Sequence, residues 1–138
     1  MFFTISILLA ALVSAIASFI LGALWYSPLL FGNFWLKESG MTTEKMAAAK
    51  QKGMKKLYLF NFISTFITAW AVAYIVSNQT FYLADALPLM FICWLGFIAA
   101  TSFGSVIWEG KSVKYFSINV GYHLVSIVLM TVISYYLV

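Results

Sequence analysis

Charged positions divide the chain into long apolar stretches. The eight basic and four acidic residues fall in only three places: residues 37–56, Asp85 and residues 109–114. A helix that crosses the hydrocarbon core of a bilayer needs about 20 consecutive, mainly apolar residues. Four stretches without any charged side chain are long enough, namely 1–36, 57–84, 86–108 and 115–138. The pattern therefore predicts four transmembrane helices.

We predict an all-α fold, an integral membrane four-helix bundle that forms a single domain over residues 1–138. The spans are expected at about residues 4–27, 57–77, 86–108 and 115–137, with a cytoplasmic loop at 37–56. Similar openings of spans two and four (Lys56 to Asn61 and Lys114 to Asn119) also suggest two parallel two-helix repeats. The alternative is that this short match arises by chance.

Composition supports the membrane assignment and limits the possible partners. The chain is 64% hydrophobic, whereas soluble domains are about 45–50% apolar, so no separate soluble domain is expected. The net charge of +4 has a local origin, since most lysines lie in one loop. The chain contains no arginine, the residue suited to bidentate phosphate recognition, and we expect no nucleic-acid partner.

The distribution of lysines predicts the topology. Six of them lie in the first connection and two in the third, while residues 77–85 have none. Loops rich in lysine stay in the cytoplasm, so both termini are expected outside. Aromatic residues at the boundaries, including Phe81 and Tyr82 on the outer side, agree with this orientation.

The first loop is predicted to contain a helix on the inner membrane surface. Gly40 interrupts the chain, Thr42 or Thr43 can cap the new helix, and Glu44 suits its positive end. The basic side chains there are expected to attract anionic lipid, with a regulatory or docking role as the alternative. They are Lys45, Lys50, Lys52, Lys55 and Lys56.

The first apolar stretch is too long for one crossing and must break. Pro28 removes a backbone donor and disfavours helix at Ser27, and Gly32 then permits a turn. Residues 29–35 are therefore expected to be interfacial or re-entrant. A broken helix can line a binding cavity; the alternative is a helix end anchored by tryptophans. The residues of this candidate site are Trp25, Tyr26, Ser27, Pro28, Gly32 and Trp35.

Polar residues recur at helical spacing in spans two and four. Span two carries Asn61, Ser64, Thr65 and Thr68, and span four carries Asn119, His123 and Ser126. Polar groups at this depth need partners, so the two faces are expected to meet each other or a wet cavity. His123 is either a structural histidine or a proton relay or metal ligand.

Trp108 and Glu109 end span three. Glu109 is expected either to pair with Lys111 or Lys114, or to close an inner vestibule opposite the helix break. There is one cysteine and one histidine, and no nucleophile–base pair or metal-ligand cluster is visible. We therefore expect no enzyme activity, no metal and no cofactor.

Small residues recur every four positions in spans one and three. The two stripes are Ala10, Ser14, Ser18 and Gly22, and Gly96, Ala100 and Gly104. Small side chains allow helix backbones to approach closely, so both stripes are expected to pack against other helices. The sequence leaves open which stripe packs within a protomer and which between protomers.

Three groups of motifs resemble those of a known family. They are residues 25–28 with Phe31, Gly32 and Trp35, then residues 94–97, and finally residues 108–111 with 119–122. With them the chain resembles the family catalogued as domain of unknown function 1761, whose members are small bacterial four-span proteins. The resemblance implies a bacterial inner-membrane location and the same fold, and it implies no activity.

Two functional hypotheses follow. The first is a homo-oligomer, in contact with membrane lipid, that binds or passes a small solute or lipid of unknown identity. Its path would run from the helix break past Glu109 towards Asn61, Asn119 and His123. The second is a non-catalytic accessory or assembly protein that packs against other membrane helices.

Overall fold

The computed structural model describes residues 1–79 and 82–138, and all regular structure in those residues is helical. Two residues that carry predictions lie outside the described residues. Phe81 is expected at the outer membrane boundary, and Thr80 ends the formal glycosylation sequon of residues 78–80. The helices are α1 (Ile5–Trp25), α2 (Gly32–Ser39), α3 (Thr43–Lys52), α4 (Met54–Gln79), α5 (Leu83–Cys93), α6 (Ala100–Ser102), α7 (Gly104–Trp108) and α8 (Val113–Leu137), with a π-helical segment at Trp94–Ala99 between α5 and α6.

Within the residues that the structure describes, four helical stretches are long and apolar enough to cross a membrane, which confirms the predicted fold class. Span one is α1, span two is α4, span three runs over Leu83–Trp108, and span four is α8. Their boundaries differ from the prediction by a few residues, because α1 ends at Trp25 and α4 already begins at Met54. The two-helix repeat stays a prediction.

Spans one, two and four pack together, and span three lies against span four. The core is built where small residues from different helices meet: Ala11 and Ala15 of α1 pack with Ala69 of α4 and Met130 of α8. Close approach is possible because alanine leaves the backbones nearly in contact. The start of span three joins this core through Ala86 and Met90.

The two small-residue stripes behave differently. In span one, Ala10, Ser14 and Ser18 are fully buried, which confirms the packing prediction. In span three, Gly96 and Ala100 are exposed, and a Cβ placed on Gly96 would meet no atom within 4 Å. Gly96 and Ala100 therefore do not pack within the protomer, whereas Gly104 is half-buried. Packing of this stripe against another chain stays a prediction.

The helix predicted in the lysine-rich loop is confirmed: it is α3, and α2 precedes it. Gly40, at φ +74°, ends α2, and Thr42 caps α3 by accepting a hydrogen bond from the Lys45 amide at 3.1 Å. Gly53, at φ +93°, separates α3 from span two. We call the half of the bundle next to this loop the lysine-rich half, and the half next to both chain ends the terminal half.

Candidate functional site

The break after span one is held by backbone contacts. The amides of Phe31 and Gly32 bond the carbonyls of Trp25 (3.0 Å) and Ser27 (2.9 Å), and Ser27 Oγ donates to Leu24 O at 2.6 Å. A Cβ on Gly32 would lie 2.4 Å from Tyr26 O. Gly32 therefore allows a close backbone approach rather than a turn with positive φ, which corrects the role predicted for it.

The segment after the break is anchored to the start of span four. Ser112 Oγ donates to Glu38 Oε2 at 2.6 Å, and Lys111 Nζ donates to Ser39 O at 2.9 Å. Lys114 Nζ lies 4.0 Å from the centroid of the Phe34 ring, a cation–π distance. The helix of this segment, α2, runs over Gly32–Ser39. It therefore begins inside the interfacial piece predicted at residues 29–35 and continues beyond the end of that piece.

Trp25 and Tyr26 fasten this break to span four. Trp25 Nε1 donates to Ile118 O at 3.0 Å, and a Cβ on Gly121 would lie 3.3 Å from the Trp25 ring. Tyr26 Oη donates to Asn119 Oδ1 at 2.8 Å. The Asn119 carbonyl oxygen is thereby engaged, while its amide N–H groups stay available to a ligand.

An open cavity of about 630 Å³ lies between span three and span four in the lysine-rich half. Five of the predicted site residues line it: Tyr26, Trp108, Glu109, Asn119 and His123. The remaining walls come from hydroxyl side chains of span three and from aromatic and aliphatic side chains of span four. They include Thr101, Ser102, Ser105, Tyr115, Phe116 and Val120. The volume falls within the range of about 300–1,000 Å³ typical of small-molecule sites.

A second cavity of about 520 Å³ lies among spans one, two and four. Tyr26 and His123 line it as well as the first cavity, and Asn61 lines its span-two side. A smaller space of about 80 Å³ continues along the polar faces of α4 and α8, between Ser64, Thr68 and Ser126. Both polar faces line this space except at Asn119, whose Oδ1 accepts the bond from Tyr26.

Several polar side chains on these cavities lack partners within the protein. In the described part of the chain, neither the His123 ring nitrogens, the Asn61 amide nor the Glu109 carboxylate makes a hydrogen bond or ion pair. All three residues are exposed. The prediction that Glu109 pairs with Lys111 or Lys114 is therefore wrong, because both lysines are engaged by α2 and its end.

The other predicted site residues support the cavities without lining them. Trp25 and Gly32 fix the break, as described above, and Trp35 packs edge-on against Tyr26 with 5.8 Å between ring centroids. Pro28 is exposed in the turn. The cavity residues Thr101, Ser102, Ser105 and Tyr122 were not among the predicted site residues. A signal for the first three was present, since the hydroxyl residues of span three recur beside its small-residue stripe.

The basic residues of the first loop form a separate surface. Lys45, Lys52 and Lys56 line a cavity of about 500 Å³ between α3 and the start of α4, over an apolar floor that includes Ala49 and Leu57. Lys50 and Lys55 are exposed beside it. Within the described residues, no three His, Cys, Asp or Glu side chains come together to hold a metal ion.

The described residues contain four apolar spans with polar cavities between them. This arrangement is that of a small multi-pass membrane protein. The model of the family described as "Protein of unknown function (DUF1761)" matches residues 9–135. The chain belongs to this family, as its tryptophan and glycine motifs predicted. Comparisons with curated proteins and with solved structures found no match.

Proposed function

We propose that this protein binds a small polar solute in the cavities of its lysine-rich half and passes it from one cavity to the other. The observation that carries the proposal is the cavity between spans three and four, where Glu109 and His123 present polar groups without protein partners. Polar groups at membrane depth are costly unless a partner compensates for their desolvation. A bound solute, with water in its absence, supplies that partner.

Tyr26 and His123 are the proposed point of passage between the two cavities, because both residues line both spaces. The Tyr26–Asn119 hydrogen bond would hold this position in one arrangement. An interhelical hydrogen bond in a membrane is worth only about 0.6 kcal/mol, so binding of a solute is enough to rearrange it. No catalytic step is proposed.

The proposed setting is the bacterial inner membrane, with both termini outside and the lysine-rich loop in the cytoplasm. The loop lysines and the two on residues 109–114 support that orientation through the positive-inside rule. The cavity lined by Lys45, Lys52 and Lys56 is proposed to hold anionic lipid headgroups, at about 1 kcal/mol for each lysine near the surface.

A homo-oligomer is proposed on the strength of the exposed stripe in span three. Gly96 and Ala100 face away from the protomer, and such stripes mediate helix association in membranes. The same observation favours a second candidate function, in which a foreign membrane helix occupies this face and the protein serves as an accessory subunit.

Native mass spectrometry of the protein released gently from nanodiscs tests these candidates. We expect a retained small molecule on the wild-type protein and on Ser117→Leu, a matched change on an exposed position of the same helix. Asn119→Leu, which places an apolar side chain in the cavity, is expected to lose it. A bare protein in every sample contradicts solute binding, and a stoichiometric foreign subunit favours the accessory role.

A further inference from the structure

The cavity between spans three and four carries charge of only one sign. Among its lining residues Glu109 is the only carboxylate, and no lysine is among them. The chain as a whole has a net charge of +4, so a negative cavity is the opposite of what composition alone suggests. Lys111 Nζ lies 5.2 Å from the ring centroid of Tyr115 on the cavity wall but forms no ion pair with Glu109, and an unpaired negative charge favours a cationic ligand.

The structure explains why Glu109 stays unpaired although two lysines follow within five residues. Lys111 Nζ donates to Ser39 O at 2.9 Å and also lies 5.2 Å from the Tyr115 ring centroid. Lys114 Nζ lies over the Phe34 ring at 4.0 Å. Both ammonium groups are thus held by contacts with the segment after the helix break. The Glu109 carboxylate remains on the cavity wall without an ion pair.

An aromatic side chain lines the same cavity as this carboxylate. Trp108 directly precedes Glu109, lines the same cavity and is 85% exposed. In the described residues its ring has no aromatic or hydrogen-bonding partner. The electron-rich face of an indole attracts cations, and quaternary ammonium groups are the ligands that aromatic rings recognise best.

The same residues do not favour a metal ion. Calcium requires six to eight oxygen ligands and magnesium a near-octahedral set, whereas the cavity offers one carboxylate among hydroxyl, amide and imidazole groups. An ammonium group requires only a carboxylate and an aromatic face. The hydroxyls of Ser102 and Ser105, also on this cavity, suit further polar atoms of an organic molecule.

We propose that this cavity binds the ammonium group of a small organic cation, between the Glu109 carboxylate and the Trp108 ring. This inference rests on the proposed function and names the class of its ligand. An ammonium group can arrive on a free amine or on the headgroup of an aminophospholipid. The two sources share the chemistry described here and differ in how they respond to lipid composition.

The test is equilibrium binding of labelled choline to the full-length protein in phosphatidylglycerol nanodiscs at about 0.15 M salt, where long-range surface attraction is screened. Glu109→Gln removes the charge and preserves the shape. Loss of a charged partner of this kind is expected to weaken binding at least about tenfold. Glu44→Gln, on an exposed position of α3, removes the same charge elsewhere and is expected to bind as the wild type does.

Two further comparisons separate charge from shape. Unlabelled 3,3-dimethylbutan-1-ol, the neutral carbon analogue of choline, is expected not to displace the label. Trp108→Leu is expected to weaken choline binding several-fold and Trp108→Phe to restore most of it, because phenylalanine keeps an aromatic face. Equal competition by the neutral analogue, or wild-type binding by Glu109→Gln, would overturn the proposal.

Lipid composition then identifies the source of the ammonium group. Weaker choline binding in nanodiscs that contain phosphatidylethanolamine supports a lipid headgroup as the occupant, and unchanged binding supports a free amine. Absence of choline binding overturns the inference. It leaves the proposed function standing if native mass spectrometry still detects a retained solute that Asn119→Leu loses, so the two failures are distinguishable.

Discussion

The terminal half of the bundle is packed through small side chains, whereas the lysine-rich half contains bulky aromatic rings with cavities beside them. In the terminal half, alanines from three spans meet with no exposed surface, among them Ala15, Ala69, Ala73 and Ala86. In the lysine-rich half, Tyr26, Tyr122 and Trp25 stand between the helices. Cavities of about 630 and 520 Å³ lie beside these rings.

This contrast explains how a bundle of four spans can contain a site. Small side chains bring the helices into contact and hold the fold together, while bulky rings at the other end keep the helices apart. Two of these rings connect the helices by hydrogen bonds: Trp25 Nε1 donates to Ile118 O, and Tyr122 Oη donates to Ser18 O, both at 3.0 Å. Polar groups can therefore remain without protein partners in one half because the other half supplies the stability.

The largest effect is expected from the same substitution placed in each half. Ala69→Leu inserts a large side chain at a fully buried position and should lower the free energy of unfolding by about 3 kcal/mol, the upper end of the cost of overpacking. Ala23→Leu, on the wall of the 520 Å³ cavity, should change it by less than about 0.5 kcal/mol. Thermal unfolding in a mild detergent measures both, and equal losses would contradict the comparison.

The helix break should be almost as sensitive. Gly32→Ala would place a Cβ 2.4 Å from Tyr26 O and 2.7 Å from Ser27 O. Since backbone atoms cannot move aside as a flexible side chain can, we expect a loss of about 2–3 kcal/mol in unfolding free energy. Gly96→Ala meets no atom of the protomer within 4 Å and is the matched control in a monomeric detergent preparation, where the proposed contact between protomers is absent. Wild-type stability of Gly32→Ala would refute the close approach.

A smaller effect is expected at the hydrogen bond that lies between the two cavities. Tyr26→Phe removes the donor to Asn119 Oδ1 and should cost about 0.6 kcal/mol, the average for interhelical bonds in a membrane. Tyr136→Phe, at a position 72% exposed, should cost nothing measurable. A loss of several kcal/mol in Tyr26→Phe would indicate a close-packed polar core instead of a cavity.

The smallest effect is expected for the buried hydroxyls of the terminal half. Ser14 Oγ is fully buried and has no hydrogen-bond partner, so Ser14→Ala removes an unsatisfied group and should leave stability unchanged or raise it by up to about 1 kcal/mol. Ser112→Ala in the lysine-rich half is the contrasting variant: it removes a helix cap and the bond to Glu38, and this larger change should lower the free energy of unfolding by about 1 kcal/mol. A clear loss in Ser14→Ala would reveal a hidden partner for that hydroxyl.

The fold was predictable because hydrophobic length and charge placement act locally. Twenty apolar residues form a spanning helix whatever their neighbours are, and Thr42 caps its own helix within one turn. The exact helix ends were less accessible. α4 begins as early as Met54 because Gly53 alone separates it from α3. Hydrophobic periodicity does not reveal such a boundary.

The candidate site was predictable in its polar members and not in their pairing. Spacing placed Asn119 and His123 on one face of a helix, and depth in the membrane marked them as unusual. The unpaired state of Glu109 depends on where Lys111 and Lys114 point, and contacts with α2, more than 70 residues away in the chain, decide it. The assignment of span three's small residues to an exposed face likewise requires the tertiary arrangement.

The most direct test of the central claim is the accessibility of single cysteines to a membrane-impermeant maleimide. On a Cys93→Ala background, Asn119→Cys lines the 630 Å³ cavity and Ala69→Cys lies in the close-packed terminal half. A water-filled cavity at Asn119 and close packing at Ala69 predict rapid labelling of Asn119→Cys from the side of the lysine-rich loop and none of Ala69→Cys from either side. Equally slow labelling of the two positions would contradict a water-filled polar cavity in the lysine-rich half.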